Sequence, residues 1–175
     1  MQCIFAIVSL ALAARATAGG TYSLPEDAPD GIYKHYIDNN GDPTYEKINI
    51  PASTSASKPR SVPDNLSQSA NFRRDVDVSC NNFLVGGNDL FLAEDELARF
   101  FGSGTHFDKQ HSSKQGSVIA FACDYGKNGQ QYTDQQFRAD MGAVDSVCGP
   151  QGAGWNSHKD SRSSYGRTQS SEPFC

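Results

Sequence analysis

Three groups of residues in this chain have the types that chemistry needs. The first is THFDKQH, residues 105–111, which puts His106, Asp108 and His111 in one polar stretch. Imidazole and carboxylate ligands suit zinc, but a site needs three or four of them at a defined geometry. The step from His106 to His111 fits no familiar zinc pattern, so these are expected to be exposed loop residues. The second group is of ribonuclease type, in which a His with a Glu or a second His serves as acid and base and an Arg holds the phosphate. His106, His111, Glu172 and Arg167 supply those types, but nothing in the sequence places them together. The third is Glu94-Asp95-Glu96. Neighbours on a helix diverge by about 100° each, so these carboxylates do not converge. They fit a solvated face and a favourable helix start.

Other signatures point away from catalysis. No G-x-S-x-G elbow occurs. The Gly-rich PQGAG, residues 150–154, reads as a turn and lacks the spacing of a phosphate loop. No cofactor or metal is expected. The single tryptophan, Trp155, precedes Asn156-Ser157-His158. Such a group can form a recognition patch, but a lone Trp in a small domain is expected in the core. The cysteines are better explained as bridges than as nucleophiles.

The chain begins MQCIFAIVSLALAARATA. An apolar run from Cys3 to Ala14, followed by Ala16-Thr17-Ala18, reads as a secretory leader cleaved after Ala18. The run is too short to span about 30 Å of hydrocarbon. Removing it also removes Cys3 and leaves Cys80, Cys123, Cys148 and Cys175. An even count in a secreted chain implies two disulfides.

Residues 19–74 hold six of the eight prolines and none of these cysteines. They open with a hairpin, GIYKHYIDNNGDPTYEKINI, turning at Asn40-Gly41. An isolated two-stranded hairpin is marginal in water. A Ser/Pro/Asn-rich stretch follows and reads as a disordered linker. It carries the glycosylation sequon Asn65-Leu66-Ser67. Arg73-Arg74 stands at the boundary with the cysteine-bearing region. Paired basic residues in an exposed, flexible segment suit a processing protease with acidic pockets. The expected products are a pro-segment, residues 19–74, and a mature domain, residues 75–175. The mature part carries 13 Asp/Glu against 8 Lys/Arg. That acidity argues against phosphate-dominated nucleic-acid binding and against adhesion to anionic membrane.

Periodicity then orders the elements of residues 75–175. VDVSCNNFLV reads as a strand with Val76, Val78, Cys80 and Leu84 on one face. NDLFLAEDELARFFG reads as a helix with Asn88 as its cap, a stripe of Leu90, Ala93, Leu97 and Phe101, and a stop at Gly102. The polar segment from Ser103 to Gly116 reads as a loop. SVIAFACDYG is a strand with Ile119, Phe121, Cys123 and Tyr125 on one face and the smaller Val118, Ala120 and Ala122 on the other. TDQQFRADMGAVDSVCGP is a helix with a Thr133–Gln136 capping box and a Phe137, Met141, Val144, Cys148 stripe. Two further strands close the chain. The large-residue face of the SVIAFACDYG strand should pack on the second helix, which pairs Cys123 with Cys148 and leaves Cys80 with Cys175. The fold class is α+β: a small disulfide-bonded two-layer sandwich, with two helices on one face of an antiparallel sheet.

A cysteine on a short first strand, VIAFACDYG, VDSVCG followed by GAGW, and YGR before a C-terminal cysteine together resemble a group of small secreted fungal effector-like proteins. More distantly, residues 80–175 resemble the α/β sandwich of the smut killer toxins, which carry more cysteines. No active residue of a toxin matches a position here. The resemblance implies a non-enzymatic secreted protein acting on another organism. The expected role is an effector that engages a host target in the apoplast or the host cell. The alternatives are a killer-like antimicrobial toxin and a small secreted hydrolase such as a ribonuclease. A monomer is expected, with a host or competitor protein or a cell-surface component as partner, and neither nucleic acid nor stable membrane insertion.

Overall fold

The computed structural model describes residues 22–49 and 76–175. Ala18, Asn65 and the Arg73-Arg74 pair lie outside the described residues. The elements run β1 (Gly31–Ile37), β2 (Pro43–Ile48), β3 (Val76–Leu84), α1 (Gly87–Phe101), β4 (Thr105–Phe107), β5 (Gln110–Gln115), β6 (Val118–Asp124), β7 (Gln130–Tyr132), α2 (Asp134–Cys148), β8 (Gly152–His158) and β9 (Ser163–Gln169). Seven strands form one antiparallel sheet in the order β2-β1-β5-β6-β9-β8-β3, and β4 pairs with β7 in a second, small sheet. This is a disulfide-bonded α+β fold with both helices on one face of the large sheet.

Local chemistry sets the helix ends. The Gln136 amide donates to Thr133 Oγ1 at 3.2 Å, and the Thr133 amide donates to Gln136 Oε1 at 3.0 Å, closing the capping box. Gly102 and Gly149 end the two helices, their amides donating to Ala98 and Asp145 at 3.0 Å each. Helix α1 starts two residues earlier than its Asn88 suggested. Gly86 occupies its N-cap, with no side chain closing the first turn. Both apolar stripes bury as spaced: Leu90, Ala93, Leu97 and Phe101 from α1, and Phe137, Met141 and Val144 from α2.

The helices pack on the small-residue face of β6, against Val118, Ala120 and Ala122, with Ala153 and Tyr165 beside them. The expectation was the opposite face. Helices carry Phe and Leu of their own, so a sheet of small side chains lets their axes approach closely. The large face of β6, with Ile119, Phe121 and Cys123, turns away and forms a second cluster with Tyr22, Leu24, Tyr33 and Phe174. Reversing the face corrects the disulfides: Cys80 pairs with Cys148 and Cys123 pairs with Cys175. Gly154 makes room for the first bridge, since a Cβ there would sit 2.8 Å from Cys148 Sγ. The bridges separate their partners by 68 and 52 residues. Replacing either pair by alanine is expected to lower stability by about 4 kcal/mol on the chain-entropy model. Trypsin puts the four cysteines on four peptides, so mapping of the unreduced protein checks the pairing. A Cys80–Cys175 linkage would contradict this fold.

Two further expectations change. The β3–β8 register slips between Cys80 and Leu84, so Leu84 leaves the face of Val78 and is exposed, while Phe83 packs on the core. The Ser103–Gly116 loop is β4 and β5, and β5 lies inside the sheet between β1 and β6. It has no apolar residue, yet Gln110 to Lys114 are all buried. Four of its side chains find partners, while Gln110 Oε1 and His111 Nδ1 have no hydrogen-bond partner among the described residues. His111 stacks on Phe100, and Ser113 donates to Glu96 at 2.6 Å. Ser112 bonds His35 at 2.8 Å, and Lys114 donates to the Gly116 carbonyl at 2.7 Å.

The hairpin is built into the same sheet. Asp38 Oδ1 accepts from the amides of Asn40 and Asp42 at 2.8 and 2.9 Å, and Gly41 takes φ 89° to turn the chain. β1 then covers β5 along Gly31–His35, placing Ile32 in the helix-side core and Tyr33 in the second cluster.

Candidate functional site

Among the described residues, no helix covers the sheet face opposite α1 and α2. Two chain segments cross it instead. Tyr22 and Phe174 pair through both backbone bonds, at 2.9 and 2.8 Å, and the Cys123–Cys175 bridge pins the C-terminal segment to β6. A cleft opens on each side of this strap.

The cleft beside β9 has a volume of about 240 Å³. Strand alternation builds its floor. Ser164, Gly166 and Thr168 share one face of β9, opposite Cys123, Phe121 and Ile119 of β6. Trp155 sits across from Gly166 on β8. A Cβ on Gly166 would meet the Trp155 Cβ at 2.5 Å and the Phe121 ring at 2.7 Å, so only glycine lets these two rings close over the strand. Trp155 is therefore half-buried, packed on the second cluster and open to the cleft. Asn81 and Tyr125 complete the rim, and the Tyr125 hydroxyl bonds Ser164 at 3.0 Å. Among the described residues, no charged side chain lines this cleft.

The other cleft, of about 340 Å³, lies between Tyr22, Leu24, His35 and Tyr45. His35 is buried edge-on to Tyr22 and Phe174. Burial, and secondarily the nearby His111, lowers its pKa to about 4. Burial, and then Lys34, likewise lowers His111 to about 4. The unfolded chain takes up protons near pH 6.5 and the folded one does not. Stability is thus whole above about pH 6.5 and falls by a few kcal/mol as pH drops toward 4. Burial raises the Glu94 carboxyl and works in the opposite sense. Urea midpoints between pH 7 and 4.5 check this. The slope should flatten in His35→Gln, and an unchanged slope would exclude His35 as its source.

No protein-family model, no curated protein and no solved structure matches this chain. The site is therefore read from its own residues.

The sequence-level candidates do not assemble. His106 is exposed, its Nε2 3.2 Å from the Asn128 carbonyl oxygen. Asp108 is exposed and paired with Lys34 at 2.8 Å. His111 is buried on the helix side instead of exposed. Among the described residues, no three His, Cys, Asp or Glu are grouped to hold a metal ion. Glu172 is exposed in the C-terminal segment. Arg167 is 1% exposed and wholly engaged. It reaches Glu94 at 2.9 Å, Asp145 at 2.7 Å, and the Gly149 and Gly152 carbonyls at 2.8 Å each. It clamps both helices to β9 and is buried among these partners, out of reach of a phosphate. Nor are Glu94, Asp95 and Glu96 a solvated row. Glu94 holds Arg167, Asp95 holds Arg99 and Arg138, and Glu96 accepts from Ser113 and Gln115.

Sequence reasoning missed one polar cluster altogether. Asp140 on α2 accepts from Asn156 at 2.7 Å, from His158 at 2.8 Å and from the Tyr132 hydroxyl. Tyr132 stacks flat on Tyr165 at 4.1 Å, and burial raises both phenols. The alternation of Asn156 and His158 on β8 was the available signal. The carboxylate is saturated with donors, which suits a buried support for α2. No helix among the described residues is long and apolar enough to cross a membrane.

Proposed function

We propose that this chain is a secreted, fungal effector-type protein that acts by binding, not by turnover. It engages a host protein or cell-surface component and so promotes colonisation or modulates immunity. The Trp155 cleft carries this reading. It is an aromatic and hydroxyl-lined recess on the sheet face, edged by the disulfide-pinned C-terminal segment, with no acid–base pair among its described residues. The leader-like start and two bridges support an oxidising destination, where such bonds persist. The test is complementation. A producing strain that lacks the protein should colonise less, and the wild-type chain should restore it. Trp155→Ala should not, when secreted equally and melting at the same temperature. Full rescue by that variant would remove the cleft from the reading. Growth inhibition of competing microbes by the pure protein would favour a killer-like toxin instead.

Processing after Arg74 belongs to the same reading, and it has a consequence. Residues 19–74 contain no cysteine, so the cut piece has no disulfide to hold it and stays bound through non-covalent contacts such as the β1–β5 ladder and the Tyr22–Phe174 backbone pair. The secreted form is then expected as two chains, co-migrating in native mass spectrometry and separating under denaturation without reductant. A single chain under denaturation would show that the arginine pair is not cut.

A further inference from the structure

We infer that the Trp155 cleft is a binding site for a neutral sugar residue, such as one unit of an uncharged cell-wall or surface glycan. This rests on the binding-protein reading and names its ligand. Four observations converge. Among the described residues the cleft has no charged side chain, which leaves no side-chain cation there to hold a phosphate or carboxylate. Its volume of about 240 Å³ lies below the roughly 300–1,000 Å³ of sites for drug-sized ligands, so it takes a single ring-sized group. An aromatic side chain, Trp155, stands beside three groups that bond hydroxyls: Asn81, Ser164 and Thr168. Ser164 and Thr168 are four residues apart on one strand face, a row about 13 Å long at the rise of an extended strand.

The fourth observation decides between ligands. Thr168 is 2% exposed, lines the cleft, and its hydroxyl has no hydrogen-bond partner among the described residues. A buried hydroxyl without a partner is costly, and a ligand hydroxyl at the cleft floor would satisfy it. A peptide is a poorer fit. Strand β9 is paired on both sides, with β6 and β8, so it offers no free backbone edge for strand addition. A purely apolar ligand would leave the polar groups unsatisfied.

Trp155 is the only tryptophan, so its fluorescence reports the cleft directly. The full-length secreted protein is titrated with hexamers of N-acetylglucosamine, β-linked glucose, xylose and mannose. A saturable spectral shift with at least one hexamer is expected. Thr168→Val keeps the side-chain shape and removes only the hydroxyl. It should weaken that binding roughly three- to tenfold, the worth of one hydrogen bond, while leaving the melting temperature unchanged or higher. Silence from all four hexamers, or equal binding by Thr168→Val, overturns the sugar assignment. A saturable response to peptides alone also overturns it and leaves the binding-protein reading standing. A response to sugar combined with full rescue of colonisation by Trp155→Ala supports the site and removes it from the effector role.

Discussion

Residues 75–175 produced alone are expected to lose the native fold. Without residues 22–49 the sheet ends at β5, and the side chains of Tyr22, Leu24, Ile32, Tyr33 and His35 leave their buried positions. Burying one large apolar side chain is worth about 1.5–3 kcal/mol. Four of these five are large and apolar, so the loss exceeds about 5 kcal/mol even after generous discount for the entropy of ordering them. A whole domain is stable by about 5–15 kcal/mol. The strand left at the edge makes matters worse. β5 is polar throughout, and Ser112 loses His35 while Lys114 loses the side chain of Asp30. Circular dichroism and urea unfolding check the outcome. Residues 75–175 should unfold without a cooperative transition, and adding a peptide of residues 22–49 should restore one. A truncated chain that unfolds at the full-length midpoint would show that the hairpin is dispensable.

Arg167→Ala is expected to cost about 5 kcal/mol, the upper range for breaking a buried ion pair. It removes the only cation between Glu94 and Asp145 and frees two glycine carbonyls that mark the turn from α2 into β8. Arg167→Lys should recover only part of this, because an ammonium is a point charge and cannot reproduce the planar fork. Arg167→Met replaces the stem volume and isolates the charge effect. Thermal melts of the three variants should rank Lys above Met above Ala. A fully stable Arg167→Ala would show that the clamp is decorative. The same clamp bears on the ribonuclease alternative, since loss of any activity in this variant would report unfolding before chemistry.

Much of the local structure was legible because it is decided within a few residues. The Thr133–Gln136 box, the stops at Gly102 and Gly149, and both helix stripes follow from hydrogen-bond groups and spacing inside one segment. The face reversal of β6 was not legible in the same way. Alternation separates Ile119, Phe121 and Cys123 from Val118, Ala120 and Ala122, but it does not say which set meets the helices. That depends on bulk supplied by Leu97, Phe101, Phe137 and Met141, which needs small partners across the gap. The cysteine pairing went wrong for this reason alone.

β5 shows the limit more sharply. QHSSKQ has neither apolar residues nor strand-forming composition, and its burial comes with partners 77 and 17 residues earlier in the chain: His35 for Ser112 and Glu96 for Ser113. The cleft was half visible. Trp155 reads from the sequence as either patch or core, and it is half-buried, because Gly166 lets it pack on one side while the other side lines the cleft.

The sequence by itself determined the α+β class, the helices with their ends, most of the strands, and the use of four cysteines in two bridges. Those rest on periodicity, capping and parity, which are short-range or countable. Only the tertiary structure decided which sheet face the helices take, which cysteines meet, that the hairpin is part of the sheet, and that Arg167 is a clamp. Each of these depends on the fit of side chains far apart in the chain, and no local pattern encodes the volume or charge of a partner that distant.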